Sequence, residues 1–223
     1  MTFIKNYGDF LWQGTLITVI LSVVAMILAT IIASVIVAGK LSKNKLISGG
    51  TTVIIELIRG LPTLCILFLC FYGLPELVSG QFMGIDNGRL VSGLIGLTIA
   101  ESVFVAEIIR AGIQSVDSGQ MEGARSIGFS KLASYRYIVL PQAIRNILPT
   151  MGNEFANIIK SSSQVSVIGI ADLMFTSQKI QGISYKPFQA VIAVSIIYLI
   201  FSVSITQIVA FAERRGKTKR LVI

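Results

Sequence analysis

The chain has 223 residues, of which 53% are apolar and 13% charged, and its mean hydropathy is +0.79. A soluble domain averages roughly a quarter charged residues, so this composition excludes ordinary soluble, disordered, collagenous and disulfide-scaffold proteins and predicts an all-α membrane protein. Nineteen Lys and Arg against eleven Asp and Glu leave a net charge of +8. The absence of histidine removes haem ligation by His, His-based zinc sites and Ser-His-Asp chemistry.

About 20 apolar residues cross a bilayer. The first charge-free run, about 12–39, meets this length. It lacks a basic leader and is too long for a cleaved signal. A loop follows with Lys40, Lys43 and Lys45. The second apolar segment, about 51–74, is interrupted by Glu56 and Arg59, an i,i+3 pair that can neutralise itself on one helical face. It also holds Cys65 and Cys70, which point in different directions on a helix and are expected to be buried and unbridged. Pro62 is expected to kink this segment.

The third segment, about 91–113, contains Glu101, Glu107 and Arg110. Glu107 and Arg110 form a second i,i+3 pair. The stretch of about 114–141 is mildly amphipathic and rich in small residues. Gly119, Gly123, Ala124, Gly128 and Ala133 would let a short helix pack closely against something. Leu140-Pro141 is expected to open the next helix, since Pro suits a first turn. The fourth apolar segment, about 144–173, contains Pro149, a second expected kink, together with Glu154 and Lys160. The fifth, about 188–212, is free of charge, and a basic tail follows it.

Five spans place the termini on opposite sides and make residues 1–223 one transmembrane domain. Lys40, Lys43, Lys45, Arg110, Arg125, Lys131, Arg136, Arg145, Arg214, Arg215, Lys217, Lys219 and Arg220 then share one side. Lys5, Arg89, Lys179 and Lys186 fall on the other. The positive-inside rule makes the first group cytoplasmic, with the N-terminus outside and the C-terminus inside. The basic surplus is thus topological, and no nucleic-acid partner is expected.

The run Glu122-Gly123-Ala124, three residues, Gly128, nine residues, Ile138-Val139-Leu140-Pro141 resembles the EAA loop of ABC-importer permeases, with Gly123 where the pattern has Ala. Glu56-Leu57-Ile58-Arg59-Gly60-Leu61-Pro62 is similar to the E-x-x-R-G-T-P of the polar amino acid uptake subfamily, with Leu61 in place of Thr. Ala106-Glu107-Ile108-Ile109-Arg110-Ala111-Gly112-Ile113, followed by Gly119-Gln120, is similar to its AEI-x-RGGI…GQ run. Asn153-Glu154-Phe155 and Lys160-Ser161-Ser162-Ser163 fall where the subfamily has N-E-F/L and K-D-T-S-L, without the Asp.

The resemblance implies a transmembrane subunit of an ATP-driven importer for polar amino acids in a bacterial cell membrane. It further implies a dimer with a second, identical or related permease, a pair of ATP-binding subunits, and an extracytoplasmic substrate-binding protein. Gln120, Glu122, Gly123, Ala124, Arg125, Gly128 and Phe129 would belong to the coupling helix that docks on the ATPase. No G-x-x-x-x-G-K-[ST] pattern is present, so ATP and Mg would be bound by the partner and no cofactor directly by this chain, which is not itself an enzyme.

The intramembrane charges suggest where a solute crosses. Glu101 lies nine residues from Arg110, and Glu154 nine from Arg145. At 1.5 Å per residue each sits about 14 Å deep, near the middle of a core about 30 Å thick. Asn153, Asn157, Lys160 and Gln164 recur on one helical face, with Glu154, Asn157 and Ser161 beside it. Such a stripe lines a dimer interface or a pathway, or joins helices by hydrogen bonds. Glu101, Ser102, Glu154, Asn157 and Ser161 are the candidate substrate residues. Glu101 stands where the resembled subfamily has a neutral residue, which tilts the reading toward cationic amino acids unless Lys160 or Arg59 pairs with it. Two alternatives are a secondary transporter driven by protons through Glu101 and Glu154, and a membrane-embedded enzyme. The first lacks an obvious inverted repeat, and the second lacks a cluster of catalytic groups.

Overall fold

The computed structural model of the protein describes residues 2–74, 81–82 and 85–218, so Lys219 and Arg220 of the basic tail lie outside the described residues. The all-α expectation holds. The described residues are helical apart from turns and a two-residue antiparallel pairing, β1 (Gln81–Phe82) with β2 (Ile85–Asp86).

Helix α1 (Thr2–Lys40) starts ten residues earlier than its apolar run. Its inner face is a column of small side chains: Thr18, Ser22, Ala25, Ala29 and Ala33 are all buried. Small residues let two helix backbones approach closely where no hydrophobic effect drives association. The column packs against α4 (Asn87–Gln114), where Ala29, Ala33 and Val37 meet Val105 and Ala106. The opposite face of α1, including Ile27, Ile31 and Val35, is exposed, as a lipid-facing surface requires.

The second apolar segment is broken. Helices α2 (Lys45–Gly60) and α3 (Thr63–Gly73) meet at a bend of 100°. Pro62 lacks an N–H and disfavours helical geometry at the residue before it. Leu61 accordingly adopts φ −94°, ψ 137°. The expected kink is therefore a full interruption. Cys70 is buried and free, as expected. Cys65 is also free but exposed, because the bend leaves that side of α3 uncovered by the chain itself.

The stretch before the fourth apolar segment folds as α5 (Ser118–Ser126) and α6 (Lys131–Ser134). Pro141 stands in the first turn of α7 (Leu140–Ser161), as expected, but that helix follows on from another without a break. Helix α6 passes through a π-helical turn, Tyr135–Val139, into α7. The wider turn absorbs the donor that Pro141 lacks, with Leu140 N–H bonded to Tyr135 C=O. Pro149 lies inside the uninterrupted α7. The break falls later, where a 3-10 stretch, Ser162–Ile168, ends at Gly169 with φ +79°. Helix α8 (Leu173–Ser184) then departs at 51°. The last helix is α9 (Pro187–Thr218).

Among the described residues, three helices are long and apolar enough to cross a membrane, within Lys5–Lys40, Asn87–Gln114 and Pro187–Arg214. The number rises to five if each bent pair counts as one span.

Candidate functional site

Helix α5 has ends that hold it without help from a partner. Asp117 caps its start, its Oδ1 accepting from Gly119 N–H at 2.7 Å. At the other end Phe129 N–H donates to Ala124 C=O and Gly128 N–H to Arg125 C=O, both at 3.1 Å. This bond pair closes a helix only if the residue after the cap takes a positive φ. Gly128 supplies it, with φ +96°. Arg125 Nη1 donates across the same turn to Phe129 C=O at 3.1 Å. Ser130 then caps α6, its Oγ accepting from Ala133 N–H at 3.2 Å. The spacing from Ala124 to Gly128 in the motif is thus the spacing of a helix stop.

The sequence led us to expect α5 to pack closely through its small residues. Within this chain only Ala124 is buried. Gln120, Glu122, Gly123, Arg125, Gly128 and Phe129 are exposed. A Cβ added at Gly123 would meet nothing within 4 Å. Beyond the helix end, Ile127 and Leu132 are three-quarters exposed, with Tyr137 alongside. These residues form an apolar edge open to a partner. A Gly123→Ala variant is therefore expected to keep full activity and to stabilise α5 by about 1 kcal/mol. Uptake and thermal unfolding of the purified protein measure the two effects, and loss of uptake would show that a partner backbone fills that space.

Helix α5 is tied to the long helix behind it. Gln142 Nε2 donates to Gln120 Oε1 at 3.3 Å and to Ile138 C=O at 3.0 Å. One turn further along α7, Asn146 Nδ2 donates to Ser115 Oγ, at the end of α4, at 2.9 Å. Beside this contact lies a cleft of about 550 Å3 lined by Glu107, Arg110, Ser115, Asn146 and Thr150. Glu107 is the hub of the adjoining ion pairs. It binds Arg110 on its own helix at 2.6 Å, as the spacing predicts, and Lys40 of α1 at 2.5 Å, which no local pattern announces. Glu56 and Arg59 also pair as expected.

The same α7 carries the polar residues expected from the sequence to lie within the membrane. Asn157 Nδ2 donates to Glu154 Oε2 at 3.1 Å. Ser161 Oγ donates to Glu101 Oε1 on α4 at 2.7 Å. Glu154 is within electrostatic range of Glu101. The structure therefore brings together Glu101, Glu154, Asn157 and Ser161, four of the five candidate substrate residues. Ser102 stands apart, since its hydroxyl is buried and turned back to Ile99 C=O. Neither cation considered as a partner for Glu101 takes that role: Arg59 is bound to Glu56, and Lys160 is exposed. Asn153, Asn157 and Lys160 make an exposed polar face on a helix that otherwise reads as membrane-embedded.

Sequence reasoning missed one polar centre. Asp172 is fully buried at the break before α8. Its Oδ1 accepts from Phe175 N–H at 2.8 Å, and its Oδ2 from Tyr198 O–H of α9 at 3.3 Å. Next to it, Leu173 N–H donates to Thr18 Oγ1 of α1 at 3.0 Å. The available signal was a lone acid inside an apolar run, three residues before the N–H it caps.

Comparison with known proteins agrees with this architecture. Residues 30–217 match the family described as binding-protein-dependent transport system inner membrane component. The chain is 34% identical over 198 residues to the Bacillus subtilis (strain 168) protein named "Probable glutamine ABC transporter permease protein GlnM", covering 89% of each. It is 36% identical over 183 residues to the nopaline transport system permease protein NocM of Agrobacterium fabrum (strain C58), covering 78% of this chain and 74% of that one. Among solved structures, it superposes with a TM-score of 0.85 and 37% identity on a chain of an amino acid ABC transporter crystallised with histidines, covering 95% and 96% of the two chains. The match spans most of the sequence, including the helix-stop motif, the Pro62 break and the α7 polar face, and the chain belongs to the family of binding-protein-dependent transport system inner membrane components.

Proposed function

We propose that this chain is the transmembrane subunit of an ATP-driven importer of polar amino acids and acts as a dimer with a second permease. The observation that carries the reading is helix α5, an exposed, self-capped helix with an apolar edge, tied through Gln142 to the helix that bears the intramembrane polar face. The relatives named above as glutamine and nopaline permeases support an amino acid as the solute. Each bent pair counts as one span, giving five, with the N-terminus outside and the C-terminus cytoplasmic. Gln120, Glu122, Gly123, Ala124, Arg125, Gly128 and Phe129 form the docking segment for an ATP-binding subunit, which holds the ATP and Mg. An extracytoplasmic binding protein delivers the solute to the bacterial cell membrane. Closure of two ATPase subunits draws the paired α5 helices together. The continuous run from α6 through α7 carries that displacement to Glu154, Asn157, Ser161 and Glu101, and the pathway alternates between outward and inward access.

The test is reconstitution of the complete transporter in liposomes with labelled glutamine outside. Uptake is expected to require ATP on the α5 side and the binding protein on the other, and to survive collapse of the proton gradient. Uptake that follows the proton gradient without ATP would instead favour the secondary-transporter alternative.

A further inference from the structure

Helices α1 and α4 share a long seam of small side chains. Ala25, Ala29 and Ala33 of α1 are fully buried, and Ala29, Ala33 and Val37 meet Val105 and Ala106 of α4. Such a seam lets the helices approach closely. Side chains this short offer shallow ridges, so they do little to stop one helix sliding along the other. At the α5 end of the seam a directed contact takes over. Glu107 divides its carboxylate between two helices. Its Oε2 accepts from Arg110 Nε at 2.9 Å and Nη2 at 2.6 Å, within α4. Its Oε1 accepts from Nζ of Lys40, the last residue of α1, at 2.5 Å. Arg110 Nη1 donates further to Gln114 Oε1 at 2.5 Å, which braces the last two turns of α4 along one face. Lys40 also ties in α2. Its C=O accepts from Ser48 Oγ at 2.9 Å, and a Cβ at the preceding Gly39 would come within 2.6 Å of Thr51 Oγ1. The Lys40 and Glu107 side chains are only 22% and 26% exposed, which shields the pair from the water and salt that make surface ion pairs weak. Ser115–Asp117 alone separate α4 from α5. Ser115 N–H is still bonded to Ala111 C=O at 2.9 Å, so the link is stiff. At 1.5 Å per residue, a load on α5 enters α4 about 12 Å from Glu107.

We propose that Lys40 is a positioning residue for transport. By holding Glu107 it fixes the register of α1 on α4, so that a load arriving from α5 moves both helices as one body. This is a second branch beside the run from α6 into α7, and it rests on the reading of α5 as the docking helix. Without the Lys40 cation, α4 shears along the alanine seam. ATP hydrolysis then continues while fewer amino acids cross for each ATP.

The experiment measures glutamine uptake and ATP hydrolysis together in the complete reconstituted transporter carrying wild-type permease, K40M or K40R. In K40M the ATP hydrolysed per glutamine imported is expected to rise at least about fivefold. K40R keeps a donor cation and should stay close to wild type. A wild-type ratio in K40M overturns the proposal, whether both rates are normal or both fall together, the latter being the result of a merely structural role. If K40M does not assemble, spin labels at two exposed positions, V35C on α1 and F104C on α4 in a C65S background, report on the helix pair with Lys40 intact. Their separation is expected to hold to within about 2 Å between the resting and vanadate-trapped states, and a change beyond that ordinary helix shift overturns the proposal. Wild-type uptake without ATP hydrolysis defeats the docking reading of α5 itself, whereas a wild-type ratio in K40M defeats only the role of Lys40.

Discussion

Replacing Gly128 by Asp is expected to abolish ATP-driven uptake while leaving the protein inserted in the membrane. Gly128 has φ +96°, a conformation that L side chains rarely adopt. Holding a non-glycine residue there costs about 1–3 kcal/mol. The α5 stop rests on that angle, because the N–H groups of Gly128 and Phe129 reach Arg125 and Ala124 only when the chain turns this way. A chain that relaxes out of it lengthens or frays α5 and re-aims Ile127, part of the apolar edge proposed to meet the ATPase. No span depends on this turn, so insertion is spared. Membrane fractionation and flotation check insertion, and substrate-stimulated ATP hydrolysis checks coupling. Gly128→Ala separates two causes. Backbone strain predicts a marked loss with Ala as well, whereas a purely charged clash at the docking surface predicts that Ala is tolerated. Wild-type ATPase coupling in Gly128→Asp would sink the docking role of α5.

The second large effect is on stability. Asp172→Ala is expected to lower the free energy of unfolding by about 2–4 kcal/mol. It removes a helix cap worth about 1 kcal/mol and strands the Phe175 N–H and Tyr198 O–H in an apolar interior, at about 1–3 kcal/mol for unmet buried groups. Asp172 is fully buried and holds the start of α8 to α9, while the neighbouring Leu173 N–H holds it to α1 through Thr18. Asp172→Asn keeps an oxygen for the cap and is expected to retain more than half of the lost stability. Tyr198→Phe removes one bond and should cost about 1 kcal/mol. Thermal unfolding in detergent ranks the three. Equal melting of Asp172→Ala and wild type would show that the break before α8 is held by packing alone.

Local patterns were legible in the sequence because they depend on neighbours a few residues apart. The Glu56–Arg59 and Glu107–Arg110 pairs and the Glu154, Asn157, Ser161 face all follow from helical spacing. Helix ends were harder to read. Pro62 announced a disturbance, yet whether a proline kinks, breaks or is absorbed depends on its surroundings. Pro62 breaks a helix by 100°, Pro149 lies within one, and Pro141 is accommodated by a π turn. Gly123 was read as a packing residue because a small side chain permits close contact. Permission is not contact, and its space is open.

The sequence by itself determined that the chain is a bundle of apolar helices with a short helix between the third and fourth apolar segments, because composition and periodicity are local properties. Only the tertiary structure decided which distant groups meet. Ser161 reaches Glu101 across 60 positions and Thr18 reaches Leu173 across 155. Lys40 turns the Glu107–Arg110 pair into a three-membered hub. Such contacts follow from how the helices cross and from the angles at Pro62 and Gly169. Those angles settle when buried polar groups far apart in the chain find partners together, which no window of neighbouring residues records.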